Sequence, residues 1–96
     1  MNKGKDKLIA RTYRVQGRVQ GVGFRNFVQQ NAEALGIRGY VCNEDDGSVF
    51  VYAVGDPADV ASLAGFIHRG PRFSEVRTVE EKEAALEKYT SFRIER

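Results

Sequence analysis

The order in which strand-type and helix-type patterns follow one another constrains the fold of this 96-residue chain more than any other feature. Runs that are rich in β-forming residues predict strands, and apolar residues that recur about every three to four positions predict helices. The patterns predict two helices, over 24–35 and 57–69, and strands over 8–16, 37–43, 48–54, 73–82 and 92–94. Residues 83–89 fit either a loop or a helical turn.

Turn and cap residues separate these predicted elements. The stretch 44–47 (EDDG) is a turn sequence between two predicted strands, which makes those strands a hairpin. Pro57 suits the first position of a helix, and Gly36 and Gly70 suit helix ends. The resulting β-α-β-β-α-β order is that of the split βαβ arrangement. We therefore predict an α+β fold, a ferredoxin-like α/β sandwich (βαββαβ) with two helices packed on one face of a mostly antiparallel sheet and 92–94 as a candidate short fifth strand.

Length, charge and cysteine content limit the classes of protein to which the chain can belong. The 96 residues fit one small domain, which we expect to span 8–96 after a flexible N-terminal tail at 1–7. A net charge of +2 is low for a nucleic-acid binder, so we expect no nucleic-acid partner. No apolar run is long enough to cross a bilayer, and we expect no membrane partner. Cys42 is the only cysteine, which rules out an internal disulfide and favours the reducing cytoplasm, where we expect a monomer.

The stretch 17–25 (GRVQGVGFR) joins the first predicted strand to the first predicted helix. Its glycines allow backbone turns that other residues cannot make, and they let main-chain N–H groups approach a ligand closely. The helix start that follows adds free N–H groups and the positive end of the helix dipole. Arg25, in the first helical turn, adds a forked cationic donor that matches phosphate geometry. Together these features predict a cradle for an anion, best suited to a phosphoryl group.

Other glycine-rich loops fit the stretch less well. It is not a Walker loop, because no Lys-Ser or Lys-Thr pair follows the glycines, and it is not a dinucleotide fingerprint, because no third glycine stands in register. It is not the loop of a cysteine phosphatase either, since no cysteine precedes Arg25. The remaining alternative is a glycine-rich turn that only reverses the chain.

Element lengths and directions bring Asn43 close to this loop. A helix of about twelve residues carries the chain back roughly 18 Å. The following strand of about seven residues returns on the order of 23 Å, parallel to the first strand. Asn43 stands at its end and, by alternation, shares the helix-covered face with Val41 and Gly39. We therefore expect Asn43 to lie near Arg25, although a strand-end asparagine can also be an ordinary turn residue.

Further residues have ordinary structural explanations. His68 lies near the end of the second predicted helix, where it suits the helix dipole. Cys42 lacks a visible base and is expected to be a bystander thiol. Phe50 and Tyr52 alternate on a central strand and leave open a second class of function, the stacking of nucleic-acid bases, while a partly covered sheet explains them equally well.

Two motifs of the chain resemble those of the acylphosphatase family. The first is the stretch 17–25 (GRVQGVGFR), and the second is 39–43 (GYVCN), followed by Asp46, Gly47 and Val49. Tyr40 stands where the family usually has tryptophan, a departure that should not affect the chemistry. The likeness runs from about residue 13 to the C-terminus, and two motifs at the right separation make it specific.

The resemblance implies hydrolysis of the carboxyl-phosphate bond of small acyl phosphates to a carboxylate and inorganic phosphate. It implies that Arg25 and Asn43 are catalytic, with Arg25 binding the phosphate and Asn43 holding the attacking water. Neither a cofactor nor a metal is implied, and inorganic phosphate should be both product and competitive inhibitor. A regulatory or carrier domain of acylphosphatase type is the alternative. The residues implied to bind phosphate are Gln20, Gly21, Val22, Gly23, Phe24 and Arg25.

Overall fold

The computed structural model describes residues 7–96; residues 1–6, most of the predicted N-terminal tail, lie outside the described residues. The strands form one five-stranded sheet with the order β4-β1-β3-β2-β5. Neighbouring strands are antiparallel except for β2 and β5, which are parallel. The predicted ferredoxin-like α+β sandwich is confirmed, and 92–94 belongs to a fifth strand. The elements in chain order are β1 (Ile9–Arg18), α1 (Phe24–Ala34), β2 (Arg38–Asn43), β3 (Val49–Gly55), α2 (Pro57–Arg69), β4 (Glu75–Glu83) and β5 (Phe92–Glu95).

Some element boundaries differ from the predicted ones for local reasons. Strand β4 begins at Glu75 rather than at 73, because a turn precedes it in which both the backbone N–H and the hydroxyl of Ser74 donate to the carbonyl of Pro71. Strand β1 continues to Arg18, because the chain keeps pairing with β4 beyond an irregularity after Gln16. Of the two alternatives for 83–89, the loop is correct after β4 ends: residues 84–91 form neither helix nor strand.

Both helices pack on one face of the sheet, and the main core lies between them and the strands. Fully burying one Val, Leu, Ile or Phe side chain contributes about 1.5–3 kcal/mol of stability. The apolar stripes therefore hold each helix firmly against the sheet. Neither helix is long and apolar enough to span a membrane. The buried helical residues are Phe24, Val28 and Ala32 of α1 and Val60, Leu63 and Ile67 of α2.

The opposite face of the sheet is partly covered by the loop 84–91. The hydroxyl of Tyr52 donates to the carbonyl of Ala85 at 2.6 Å and accepts from the backbone N–H of Glu87 at 2.9 Å. The ring of Tyr89 lies 5.4 Å from that of Tyr52. Only 4% of Tyr52 is exposed. Tyr52 thus packs against its own chain, which matches the partly covered sheet considered as the alternative to base stacking.

The ends of three secondary-structure elements meet at one edge of the sandwich: β1 and β2 end there, and α1 begins there. The two strands run in the same direction because β3 lies between them and is antiparallel to both. Asn43, the last residue of β2, pairs with the buried Val49, as Val41 pairs with the buried Val51. Asn43 therefore lies on the helix-covered face, beside the start of α1.

Candidate active site

A cavity of about 270 Å³ opens where β1 and β2 end and α1 begins. It draws on four separate segments of the chain: the loop after β1, the first turn of α1, the end of β2 and strand β5. Of the residues that line the cavity, only Arg25 carries a formal charge, so the cavity is electropositive and suits an anion. The lining residues are Val19, Gly21, Gly23, Phe24, Arg25, Asn26, Asn43 and Ile94.

The loop between β1 and α1 depends on two glycines in the left-handed region. Gly21 has φ 75° and Gly23 has φ 79°, and an added Cβ at either position would meet no atom within 4 Å. Backbone conformation, rather than lack of space, therefore favours glycine at both positions. These turns direct the chain from the end of β1 into α1 and place the loop backbone along the cavity.

The N-terminus of α1 has no side-chain cap at its N-cap position. Gly23 is the N-cap residue and makes no side-chain capping hydrogen bond, and the first turn contains no acidic residue. The first N–H groups of a helix have no intrahelical partner, and the positive end of the helix dipole lies beside them. Phe24 is 1% exposed and anchors the first turn in the core. The helix start is therefore fixed in place, with its donors at the cavity.

Arg25 lies in that first turn and lines the cavity. No carboxylate within residues 7–96 forms an ion pair with its guanidinium. A guanidinium presents a planar fork of donors that can hold two oxygens of a phosphate or carboxylate at once. The side chain is thus available to a bound anion.

Asn43 reaches the same cavity from the end of β2. Its Oδ1 atom is buried and receives no hydrogen bond from any group within residues 7–96. Buried polar atoms of proteins are nearly always paired, so an unpaired carbonyl oxygen facing a cavity indicates a partner other than residues 7–96. An amide oxygen accepts hydrogen bonds, which is what holding a water molecule requires. The structure brings Arg25 and Asn43 together at one cavity, as element lengths and directions predict.

The turn that follows Asn43 is held by side-chain hydrogen bonds. The carboxylate of Asp46 accepts from the hydroxyl of Ser48 at 2.6 Å and from its backbone N–H at 2.9 Å, and it pairs with Arg14. The hydrogen bonds from Ser48 are the main cause that lowers the pKa of Asp46 to about 2. Gly47 completes the turn at φ 94°. The interpretation of 44–47 as turn chemistry is therefore confirmed.

Two residues of the predicted phosphate loop extend their side chains elsewhere. The amide nitrogen of Gln20 donates to the carbonyls of Glu44 at 2.9 Å and Ser48 at 2.8 Å. Val22 packs against the main core. The other predicted loop residues, Gly21, Gly23, Phe24 and Arg25, line the cavity.

The remaining residues considered from the sequence lie apart from the cavity lining. Cys42 faces the other side of the sheet from Asn43, and its thiol lies 3.7 Å from the carboxylate of Glu44. Burial, followed by the charge of Glu44, raises the pKa of Cys42, which disfavours the reactive thiolate. His68 is exposed in the last turn of α2. Within residues 7–96, no group of three or more His, Cys, Asp or Glu side chains could hold a metal ion.

Sequence reasoning missed three lining residues: Val19, Asn26 and Ile94. Val19 and Asn26 directly flank the predicted phosphate-binding residues 20–25, so including one residue on each side of that set would have found both. Ile94 had no comparable signal. It reaches the cavity because β5 pairs in parallel with β2, which places Ile94 opposite Val41. That pairing is long-range and leaves no local pattern in the sequence.

Comparisons with known proteins agree on one family. Residues 11–94 match the sequence profile of the family described as Acylphosphatase. The Acylphosphatase of Solibacter usitatus (strain Ellin6076) is 58% identical over 85 residues, covering 88% of this chain and 88% of that protein. The Acylphosphatase of Archaeoglobus fulgidus is 45% identical over 87 residues, covering 91% of this chain and 98% of that protein. The solved structure of an acylphosphatase from Coxiella burnetii matches with a TM-score of 0.91 at 32% identity, covering 99% of this chain and 100% of that one.

Proposed function

This chain belongs to the acylphosphatase family, and on that basis we propose that Arg25 binds the phosphate of a small acyl phosphate while Asn43 holds the attacking water. The observation that carries the proposal is the meeting of Arg25 and the unpaired Oδ1 of Asn43 at one cavity, beside the uncapped start of α1. One side of this cavity suits an anion, and the other presents a buried acceptor for a water proton.

The loop and the helix start would bind the phosphoryl group. The backbone N–H groups around Gly21, Gly23 and Phe24, with the guanidinium of Arg25, are expected to hold its three peripheral oxygens. The backbone N–H groups of Gln20 and Val22 would also contact the phosphoryl group. The side chains of these two residues extend away from the cavity. Phosphoryl transfer depends chiefly on positioning and on stabilising charge, and donors fixed before the reaction supply both.

The reaction needs no protein acid at the leaving group. Water attacks phosphorus, the bond between phosphorus and the acyl oxygen breaks, and a carboxylate departs with the bonding electron pair. A carboxylate is stable as an anion, so it leaves without receiving a proton. Asn43 would orient the water in line through its Oδ1, and the proton that the water loses would pass to an oxygen of the transferred phosphate. The products are a carboxylate and dihydrogen phosphate, which balances charge and atoms.

Turnover of two substrates with and without a chelator tests this function. We expect hydrolysis of acetyl phosphate to continue in EDTA, and little hydrolysis of p-nitrophenyl phosphate, whose ester leaving group is poorer. Loss of acetyl phosphate turnover in EDTA would overturn the metal-free mechanism. Equal turnover of both substrates would overturn the assignment to acyl phosphates.

We also propose that inorganic phosphate is a competitive inhibitor, since it carries the same peripheral oxygens as the substrate. We expect the protein to act as a monomer in the cytoplasm. Initial rates at several phosphate concentrations test the inhibition, which should raise KM and leave kcat unchanged. Light scattering on a size-exclusion column tests the monomer.

A further inference from the structure

The side chain of Gln20 connects the two halves of the candidate active site. Its single amide nitrogen donates to two backbone carbonyls, at 2.9 Å to Glu44 and at 2.8 Å to Ser48. Gln20 belongs to the loop that precedes α1, and Glu44 directly follows Asn43. The two hydrogen bonds therefore join the phosphate loop to the end of the strand that carries Asn43.

The turn to which Gln20 binds is itself held together by hydrogen bonds. The backbone N–H of Glu44 donates to the carbonyl of Ser48 at 2.9 Å, and that of Gly47 donates to the carbonyl of Glu44 at 3.1 Å. Asp46 further accepts two hydrogen bonds from Ser48, which is 2% exposed. A group bound to both ends of such a turn is held relative to the whole turn, and so relative to Asn43.

We propose that Gln20 is a positioning residue, whose side-chain amide fixes the distance between the phosphate loop and Asn43. This inference rests on the proposed function. With phosphorus held by the loop and water held by Asn43, that distance decides whether water attacks in line. Gln20 acts through Asn43 and the loop and does not touch the reacting atoms. This role belongs to its side chain and is separate from any contact of its backbone with phosphate.

Replacement of Gln20 by an isostere without donors tests the proposal. Gln20→Met keeps the side-chain length and removes both hydrogen bonds. We expect kcat for acetyl phosphate to fall about tenfold or more, because small displacements of reacting groups are costly. The Kd for inorganic phosphate should change less than about threefold, since the loop and Arg25 remain.

Gln29→Met is the matched control. The amide nitrogen of Gln29 also donates to a backbone carbonyl, that of Phe92 at 3.1 Å, but Gln29 does not line the cavity. Both variants should lower the melting temperature, and only Gln20→Met should lower kcat. Equal kcat values for the two variants, with an active wild type, would overturn the positioning role alone. An inactive wild type would overturn the proposed function as well.

A double-mutant comparison separates positioning from a general effect on the loop. If Gln20 acts through Asn43, the Gln20→Met substitution should change kcat little in an Asn43→Ala background. An equal loss of kcat in both backgrounds would contradict the proposal. So would a Gln20→Met variant that loses phosphate affinity but keeps its kcat.

Gln20→Glu supplies a second variant with a pH readout, which also serves if the methionine variant does not fold. An ionised carboxylate at this position would face two carbonyl oxygens and could donate to neither, whereas a protonated carboxyl can donate to one. We expect the kcat of this variant, relative to wild type, to rise as the pH falls from about 7 to about 5. A ratio that stays constant over this range would contradict the need for a donor at Gln20.

Discussion

The two helices of this protein pack on the same face of one sheet, yet their N-termini are built in opposite ways. Helix α2 is capped by its own chain: Asp56 accepts from the backbone N–H of Ala58 at 3.1 Å, Pro57 occupies the first position, and Asp59 stands in the first turn. Helix α1 follows the N-cap residue Gly23, has no side-chain cap there and no acid in its first turn, and carries Arg25 in that turn instead.

The difference stabilises the start of α2 and leaves the start of α1 suited to an anion. A Ser, Thr, Asp or Asn at the N-cap stabilises a helix by about 0.5–2 kcal/mol relative to alanine but by only a few tenths of a kcal/mol relative to glycine, so α1 loses little stability with Gly23 at this position. An acid in the first turn would also stabilise α1, but it would repel an anion at the same place. The side chain of Asp56 accepts from a backbone donor at the start of α2, whereas the N-cap residue of α1 supplies no side-chain acceptor. This contrast supports the proposal that the cavity at the start of α1 binds an anion.

Removal of the cation at α1 should have the largest effect. Arg25→Ala removes a fork of charge-assisted hydrogen bonds, so kcat/KM should fall about 150-fold or more. This corresponds to a loss of about 3 kcal/mol or more of transition-state stabilisation. Arg25→Lys should recover only part of the loss, because an ammonium cannot reproduce the fork. Steady-state kinetics on acetyl phosphate measure both variants.

Arg69→Ala, in the last turn of α2, is the matched control for Arg25. Its guanidinium lies 5.1 Å from the ring centre of Phe66, on an exposed surface. We expect kcat/KM of this variant to stay close to that of wild type. If Arg25→Lys turned over like wild type, bidentate binding at α1 would be the wrong explanation.

Asn43→Ala should have the next largest effect and should separate binding from chemistry. With Arg25 and the start of α1 unchanged, phosphate affinity should remain, while kcat should fall about 10- to 100-fold because the water is no longer oriented. Asn43→Asp should be no more active than Asn43→Ala, since a carboxylate there repels the anionic substrate. Melting temperature, phosphate Kd and kcat are measured on both variants.

A different result is expected if Asn43 has only a structural role. A turn residue without a chemical role would lose melting temperature and keep its kcat. A stable Asn43→Ala protein with nearly normal kcat would remove Asn43 from the mechanism and leave only the anion site at α1.

Loss of the cap at α2 should have the smallest effect and should spare activity. Asp56→Ala is expected to lower the free energy of unfolding by about 1 kcal/mol, which corresponds to about 4–8 °C in melting temperature for a domain of this size. The values of kcat and KM should not change. A large loss of activity in this variant would show that the two helix ends are not independent.

The fold and the centre of the site follow from local patterns in the sequence. Strand and helix periodicity, with the turn at 44–47, predicts the element order, and the lengths and directions of the elements then place Asn43 beside Arg25. These inferences succeed because each depends on residues that are close in sequence or on the geometry of regular elements.

The features that the sequence did not reveal depend on long-range contacts. The pairing of β5 with β2 puts Ile94 in the cavity, and the hydroxyl of Tyr52 holds the loop 84–91 across the other face of the sheet. The bonds from Gln20 to the turn after Asn43 span more than twenty residues. Local secondary-structure propensities do not predict such contacts, because many arrangements of the same segments share the same local pattern.

A pair of variants at Gly23 tests most directly whether the start of α1, which has no side-chain cap, binds a phosphoryl group. Gly23→Asn and Gly23→Asp are matched in size and backbone strain, and a Cβ at this position meets no atom within 4 Å. They differ in one negative charge beside the helix N-terminus. Phosphate Kd is measured for each from melting curves at constant ionic strength.

Wild type should gain about 2.7 kcal/mol of stability at a phosphate concentration of one hundred times Kd. Gly23→Asn should keep a phosphate-dependent rise in melting temperature, and Gly23→Asp should bind phosphate about tenfold more weakly than Gly23→Asn, because its carboxylate repels the anion. Equal Kd values for the two variants, or a wild-type melting temperature that phosphate does not change, would contradict phosphoryl binding at the start of α1.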